Sequence, residues 1–149
     1  MEIQSDTTGV SGLGSGPGGP SKRLEAFPNS HPDRDTLVTF HCEEFSCHCP
    51  VTGQPDYARL EIAYIPDKKV LESKSLKLYL WTYRDIGVFH EHVVNRILDD
   101  LTEFLEPRWM RVVGRFNVRG GISIDVTAET PRRRGAQDPQ FGQLRSERF

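Results

Sequence analysis

The sequence Gly120-Gly121 followed by Ile122-Ser123-Ile124-Asp125-Val126-Thr127-Ala128 constrains the fold more than any other stretch. Two consecutive glycines suit the positive φ angles of a tight hairpin turn. The residues after them alternate apolar and polar, the pattern of a strand with one face buried. A partner strand is predicted before the turn, from about Met110 to Val118. A second alternating run covers Tyr57 to Ile65, with Ala58, Leu60, Ile62 and Tyr64 on one face and Arg59 and Glu61 on the other. A fourth, short and β-branched, is Thr36 to His41. The chain therefore contains an antiparallel sheet.

Two helical stretches lie between the strand pairs. Ser75 to Tyr83 places Leu76, Tyr79, Leu80 and Tyr83 at helical spacing. Val88 to Leu105 carries Val93, Val94, Ile97, Leu98, Leu101, Phe104 and Leu105 as a broad apolar stripe, stopped by Pro107. The order ββααββ predicts an α+β fold, an antiparallel sheet with two helices on one face. Residues 1–32 are dominated by Gly, Ser, Pro and Thr and read as a flexible tail. Residues 131–149, which include Arg132, Arg133 and Arg134, read as a second loose tail, leaving 33–130 as the folded domain. A domain under about 100 residues has a modest core, for which oligomerisation compensates.

Composition narrows the function. The 149 residues are 36% hydrophobic and 27% charged with a formal net charge of -2, so bulk electrostatics give no reason to expect nucleic acid as a partner. No run of about 18 apolar residues is present for a membrane span, and no secretory signal stands at the N-terminus, so the expectation is a cytoplasmic protein. Gly14-Ser15-Gly16-Pro17-Gly18-Gly19 satisfies the G-x-G-x-x-G pattern. That loop needs a preceding strand and a following helix, and this one sits in a Pro-rich tail. The match is set aside.

Chemistry concentrates in Phe45-Ser46-Cys47-His48-Cys49-Pro50-Val51-Thr52-Gly53-Gln54-Pro55-Asp56, read as a loop from its Pro and Gly. Cys42, Cys47 and Cys49 lie within eight residues. An odd count in a reducing compartment leaves reactive thiol, metal ligand or buried small hydrophobe as readings. With His41 and His48 the group has zinc-ligand chemistry, although Cys-x4-Cys-x-Cys is not a usual zinc knuckle. As a nucleophile, a thiol must ionise. Asp56 follows Cys49 by seven residues on a turn that can return to it, and a carboxyl beside an attacked multiple bond can deliver a proton.

Cys49 through Asp56 resembles the nucleophile segment of the NADPH-dependent 7-cyano-7-deazaguanine reductases of queuosine (tRNA modification) biosynthesis. Leu71-Glu72-Ser73-Lys74-Ser75-Leu76-Lys77-Leu78-Tyr79, Phe89-His90-Glu91 and Arg119-Gly120-Gly121-Ile122-Ser123-Ile124-Asp125 resemble further motifs of that family in the same order. The resemblance implies that Cys49 attacks a nitrile to form a covalent thioimide, with Asp56 as proton donor and two NADPH as reductant. It implies that Leu71, Glu72, Ser73, His90 and Glu91 bind the deazapurine, and that Lys74 and Lys77 meet the cofactor phosphates. Glu91 matches two parallel donors on a guanine-like edge. The implied fold is the tunnelling fold, with subunits assembling as homo-oligomeric rings (two stacked rings of five in single-unit members), no resident metal and no membrane. A zinc-dependent cyclohydrolase sharing the fold is the alternative, and a non-catalytic deazapurine-binding module a third class.

Overall fold

The computed structural model describes residues 19–131. Its elements in chain order are β1 (Ala26–Pro28), β2 (Val38–His48), β3 (Pro55–Ile65), β4 (Lys69–Leu71), α1 (Ser73–Trp81), α2 (His90–Leu105), β5 (Trp109–Arg119) and β6 (Ile122–Glu129). The predicted ββααββ core is present as β2-β3-α1-α2-β5-β6. Its sheet is antiparallel in the order β2-β3-β5-β6. Gly120 and Gly121 have φ of 58° and 79°, values that a side chain would resist, and they close the β5–β6 hairpin.

Alternation along β3 and β5 decides which face is covered. Leu60, Ile62 and Tyr64 of β3 pack with Met110, Val112 and Phe116 of β5 and with Val93, Val94, Ile97 and Leu101 of α2 in one buried cluster. Burying an aliphatic side chain of this size contributes about 1.5–3 kcal/mol. Gly114 of β5 lies beneath α2, where a Cβ would meet Val94 Cγ2 at 2.8 Å and Phe116 Cε2 at 2.9 Å. The two helices are joined by polar contacts as well: the Tyr79 hydroxyl donates to Asp100 Oδ2 at 2.6 Å and lies 3.0 Å from the Tyr83 hydroxyl.

Several boundaries differ from the sequence expectation, each for a local reason. Helix α1 starts at Ser73 because Glu72 caps it with its side chain. Helix α2 starts at His90, since Val88 is used in a backbone bond to His48. Strand β2 runs on to His48 through an irregularity between Cys42 and Phe45, so Phe45–His48, read as loop, pair with Pro55–Ala58. Residues 19–32 belong to the segment expected to be flexible, yet Ala26–Pro28 pair with Leu71–Lys69. Around that ladder Glu72 N–H donates to Glu25 O at 2.9 Å, and Asn29 N–H to Lys68 O at 2.9 Å. Arg108 then pins the following turn through Arg34 O at 3.0 Å and Asp35 Oδ1 at 2.8 Å. Residues 1–18, with the Gly14–Gly19 pattern up to Gly18, and Arg132–Arg134 lie outside the described residues.

Replacing Gly114 by Ala should lower stability by about 1–3 kcal/mol, because the methyl group overpacks the seam under α2. A urea titration should show a lower midpoint at unchanged slope, and an unchanged midpoint would contradict the packing.

Candidate active site

Six residues, Cys49–Gln54, connect β2 to β3. Two backbone bonds close them into a turn: Cys49 N–H donates to Gln54 O at 2.8 Å, and Gly53 N–H to Cys49 O at 2.9 Å. Just before the turn, His48 N–H donates to Ile86 O at 2.9 Å and Val88 N–H to His48 O at 3.0 Å. That parallel bridge holds the α1–α2 connection against the strand that delivers Cys49. Two residues later the chain enters α2 at His90, so the same contact sets where that side chain begins.

The three cysteines part company electrostatically. Cys49 is half-buried, and its thiol is drawn down to about 7. The Thr52 hydroxyl contributes most, then the N–H groups of Thr52 and Val51, with the Arg119 guanidinium adding to them against partial desolvation. Burial pushes Cys42 up to about 11, helped by Glu43. Burial also pushes Cys47 up to about 11, helped by the charges of Asp56 and Cys49. Cys47 is 0% exposed and belongs to the hydrophobic cluster, so for that residue the small-hydrophobe reading describes its packing. Among the described residues no three His, Cys, Asp or Glu side chains group so as to hold a metal ion.

Asp56 stands opposite Cys47 in the β2–β3 register and is 3% exposed. Its Oδ1 accepts from Arg119 Nη1 at 2.6 Å, and its Oδ2 lies 3.2 Å from His90 Nε2. Arg119 Nη2 also donates to Gln54 Oε1. The imidazole of His90 is stacked on Phe116, with ring centroids 3.8 Å apart and planes 9° from parallel. Hydrogen bonds to Asp56 and Cys49 hold Arg119 firmly charged. One guanidinium thus ties the buried carboxylate to Gln54, the last residue of the Cys49 turn. The register shift between Phe116 and Arg119 turns the end of β5 toward that position.

The structure brings Asp56 and His90 together, with Cys49 at the start of the turn that leads into the strand of Asp56. Glu91 is exposed in the first turn of α2. Leu71 is buried, its N–H donating to the Tyr64 hydroxyl at 2.9 Å. Glu72 engages both carboxylate oxygens with its own helix, accepting from Lys74 N–H at 2.6 Å and Ser75 N–H at 2.7 Å. Its predicted contact with a base therefore competes with a capping role that the sequence reading did not assign. Ser73 and Lys77 line a groove of about 820 Å³ between α1 and β2, with Leu80, Trp81 and Arg84; Lys74 is half-buried on the same helix. Cations, a hydroxyl and an indole in one groove fit the phosphates and flat rings of a dinucleotide such as NADPH. His48 and Pro55, chain neighbours of Cys49 and of Asp56, also line it. Sequence reasoning assigned no site role to Arg119, Thr52, Gln54 or Phe116. The first three lie within motifs already quoted, whereas the stacking of Phe116 on His90 left no signal.

A family model described as QueF-like protein matches residues 55–135. An NADPH-dependent 7-cyano-7-deazaguanine reductase of Syntrophus aciditrophicus (strain SB) is 64% identical over 110 residues, 74% of this chain and 79% of that protein. One of the same name from Acidithiobacillus ferrooxidans (strain ATCC 53993 / BNL-5-31) is 51% identical over 134 residues, 89% of this chain and 94% of that protein. Among solved structures, the archaeosine synthase QueF-Like in the apo form matches with a TM-score of 0.61 at 23% identity, covering 65% of this chain and 95% of that one. This last likeness is one of fold, the tunnelling fold.

Alkylation by iodoacetamide should rise with pH through an inflection near 7 at Cys49, where deprotonation creates the reactive thiolate. Cys42 and Cys47, both pushed up to about 11, should stay largely unmodified at neutral pH. Peptide mass spectrometry across a pH series separates the three, and equal labelling at pH 7 would contradict the assignment.

Proposed function

The chain belongs to the QueF-like family, and from that membership we propose how it works as an NADPH-dependent 7-cyano-7-deazaguanine reductase in the queuosine pathway. The reaction reduces a nitrile to an aminomethyl group by way of a covalent thioimide on Cys49. The observation that carries this reading is Asp56, a buried carboxylate held between Arg119 and His90 at the end of the turn that begins at Cys49.

The Cys49 thiolate adds to the nitrile carbon, forming a C–S bond as one C–N π bond opens. The nitrogen takes up a proton through Asp56, and His90, 3.2 Å from the second carboxylate oxygen, replaces it. The adduct is a neutral thioimide. NADPH, when bound, supplies hydride, one equivalent to the thioimide carbon and a second to the imine left after sulfur departs. The C–S bond breaks with its electron pair returning to Cys49, whose hydrogen-bond donors stabilise the leaving thiolate as they do the attacking one. A second proton through Asp56 completes the amine, so two hydrides and two protons account for C≡N becoming CH2–NH2.

Glu91, which is exposed, accepts from the two donors of the deazapurine edge, with Leu71, Glu72 and Ser73 at the start of α1 as the further base contacts that the family likeness implies. Lys74 and Lys77, with Arg84 in the same groove, serve the NADPH phosphates. Among the described residues, strands β2 and β6 have unpaired outer edges, and Val118 and Ile122 at the hairpin are 63% and 67% exposed. These features support a homo-oligomer, with the family's rings as the form. Free thiols suit a reducing compartment, which keeps the proposed site of action in the cytoplasm.

Wild-type protein mixed with the nitrile substrate should gain the substrate's mass on Cys49, and Cys49→Ala should show neither adduct nor NADPH consumption. Normal turnover by that variant would end the nucleophile assignment. Glu91→Ala should weaken substrate binding by roughly 10- to 150-fold, the equivalent of about 1.5–3 kcal/mol for a charge-assisted hydrogen bond. Calorimetric titration measures this directly, and an unchanged Kd would remove Glu91 from the base-binding set.

A further inference from the structure

We propose that Gln54 is a positioning residue, which fixes the plane of the Arg119 guanidinium against Asp56 and ties it to the turn of Cys49. The inference rests on the reading of Asp56 as acid and Cys49 as nucleophile. It adds a residue to which that reading gave no role.

Arg119 stands at the end of β5 with its side chain 38% exposed, so this long cation keeps its rotamer freedom unless something holds it. One bond, from Nη1 to Asp56 Oδ1 at 2.6 Å, leaves the planar guanidinium able to pivot about that point. A second bond at the other terminal nitrogen removes the pivot, because two donors of a rigid fork define its plane. Gln54 supplies the partner, its Oε1 accepting from Nη2. A guanidinium has donors only, so the amide presents its oxygen here and turns its NH2 away.

The amide is itself held in place. Pro55 disfavours helical backbone at Gln54. Gln54 O accepts from Cys49 N–H at 2.8 Å, and Gln54 N–H donates to Thr52 Oγ1 at 3.3 Å. The same residue thus closes the nucleophile's turn with its main chain and orients the acid's cation with its side chain. Gln54, Arg119 and His90 also border one cavity of about 460 Å³, with Asn117, Ile122 and Ile124. Both partners of Asp56, and the tether of one of them, face the same space. Gln54 is exposed, so core packing does not account for its presence.

In the full-length chain, Gln54→Met removes the acceptor at nearly constant shape, and Gln54→Glu keeps an acceptor at the same reach. Nitrogen-15 NMR of the guanidinium groups reads the tether directly. Held at both terminal nitrogens, Arg119 should rotate slowly about Nε–Cζ and give separate Nη signals, assigned by their loss in Arg119→Ala. Those signals should merge in Gln54→Met and stay apart in Gln54→Glu. The kcat for nitrile reduction should fall by about 10- to 100-fold in Gln54→Met, the range for a displaced catalytic group, while KM for the nitrile stays within about twofold. Gln54→Glu should keep kcat within about fivefold of the wild type. In an Arg119→Ala background, Gln54→Met should cost less than about twofold more, since its partner is already gone. Gln54→Ala, a second chain without the amide, stands in for the methionine variant if that one fails to fold.

Arg119 signals already merged in the wild type, or still apart in the amide-free variants, would overturn the proposal. So would a wild-type kcat in Gln54→Met, or an undiminished further loss in the Arg119→Ala background. Signals that merge on loss of the amide, in a protein that reduces no nitrile, would support the role of Gln54 and overturn the reading of the reaction instead.

Discussion

A carboxylate that is 3% exposed has given up its water, and its charge has to be met by partners held in place. Asp56 meets that demand with a guanidinium on one oxygen and an imidazole on the other. Those partners come from the far end of β5 and the first residue of α2, while Asp56 itself is near the start of β3. Three separate elements are thereby committed to one point. The backbone bridge between His48 and Gly87 brings β2 to the same point with Cys49 one residue beyond.

The sheet makes that convergence mechanical. Antiparallel pairing of β2 with β3 fixes Cys47 opposite Asp56, and pairing of β5 with β6 fixes Arg119 at the mouth of the Gly120-Gly121 turn. Both edge pairings carry an irregularity, between Cys42 and Phe45 and between Phe116 and Arg119. Such shifts change which way the following side chains face. In β2 the shift returns Phe45 and Cys47 to the buried side. In β5 it separates Phe116, which supports His90, from Arg119, which holds Asp56.

The sheet was legible in the sequence wherever a face is buried along a whole strand. Leu60, Ile62 and Tyr64 show the period-2 pattern because each faces α2 and the core, and the two glycines announce their turn chemically. Strands β1 and β4 have three residues each and are paired across more than forty positions, too short and too distant for periodicity to register. The same holds for the site. Cys49, Asp56 and His90 were visible as reactive residue types in recognisable segments. That Arg119 binds Asp56 across 63 positions depends on sheet register, which no local pattern expresses. The capping role of Glu72 went unread for a related reason: it shows only once the helix start is known, where the carboxylate accepts from the N–H groups of Lys74 and Ser75.

The difference among the three thiols also bears on damage. Peroxides and electrophiles attack sulfur in proportion to its thiolate character and accessibility. Cys42 and Cys47 carry less thiolate than Cys49, and Cys47 is buried as well. Oxidative stress should therefore fall first on Cys49, as a sulfenic acid, and catalytic silence should set in while the fold is still intact.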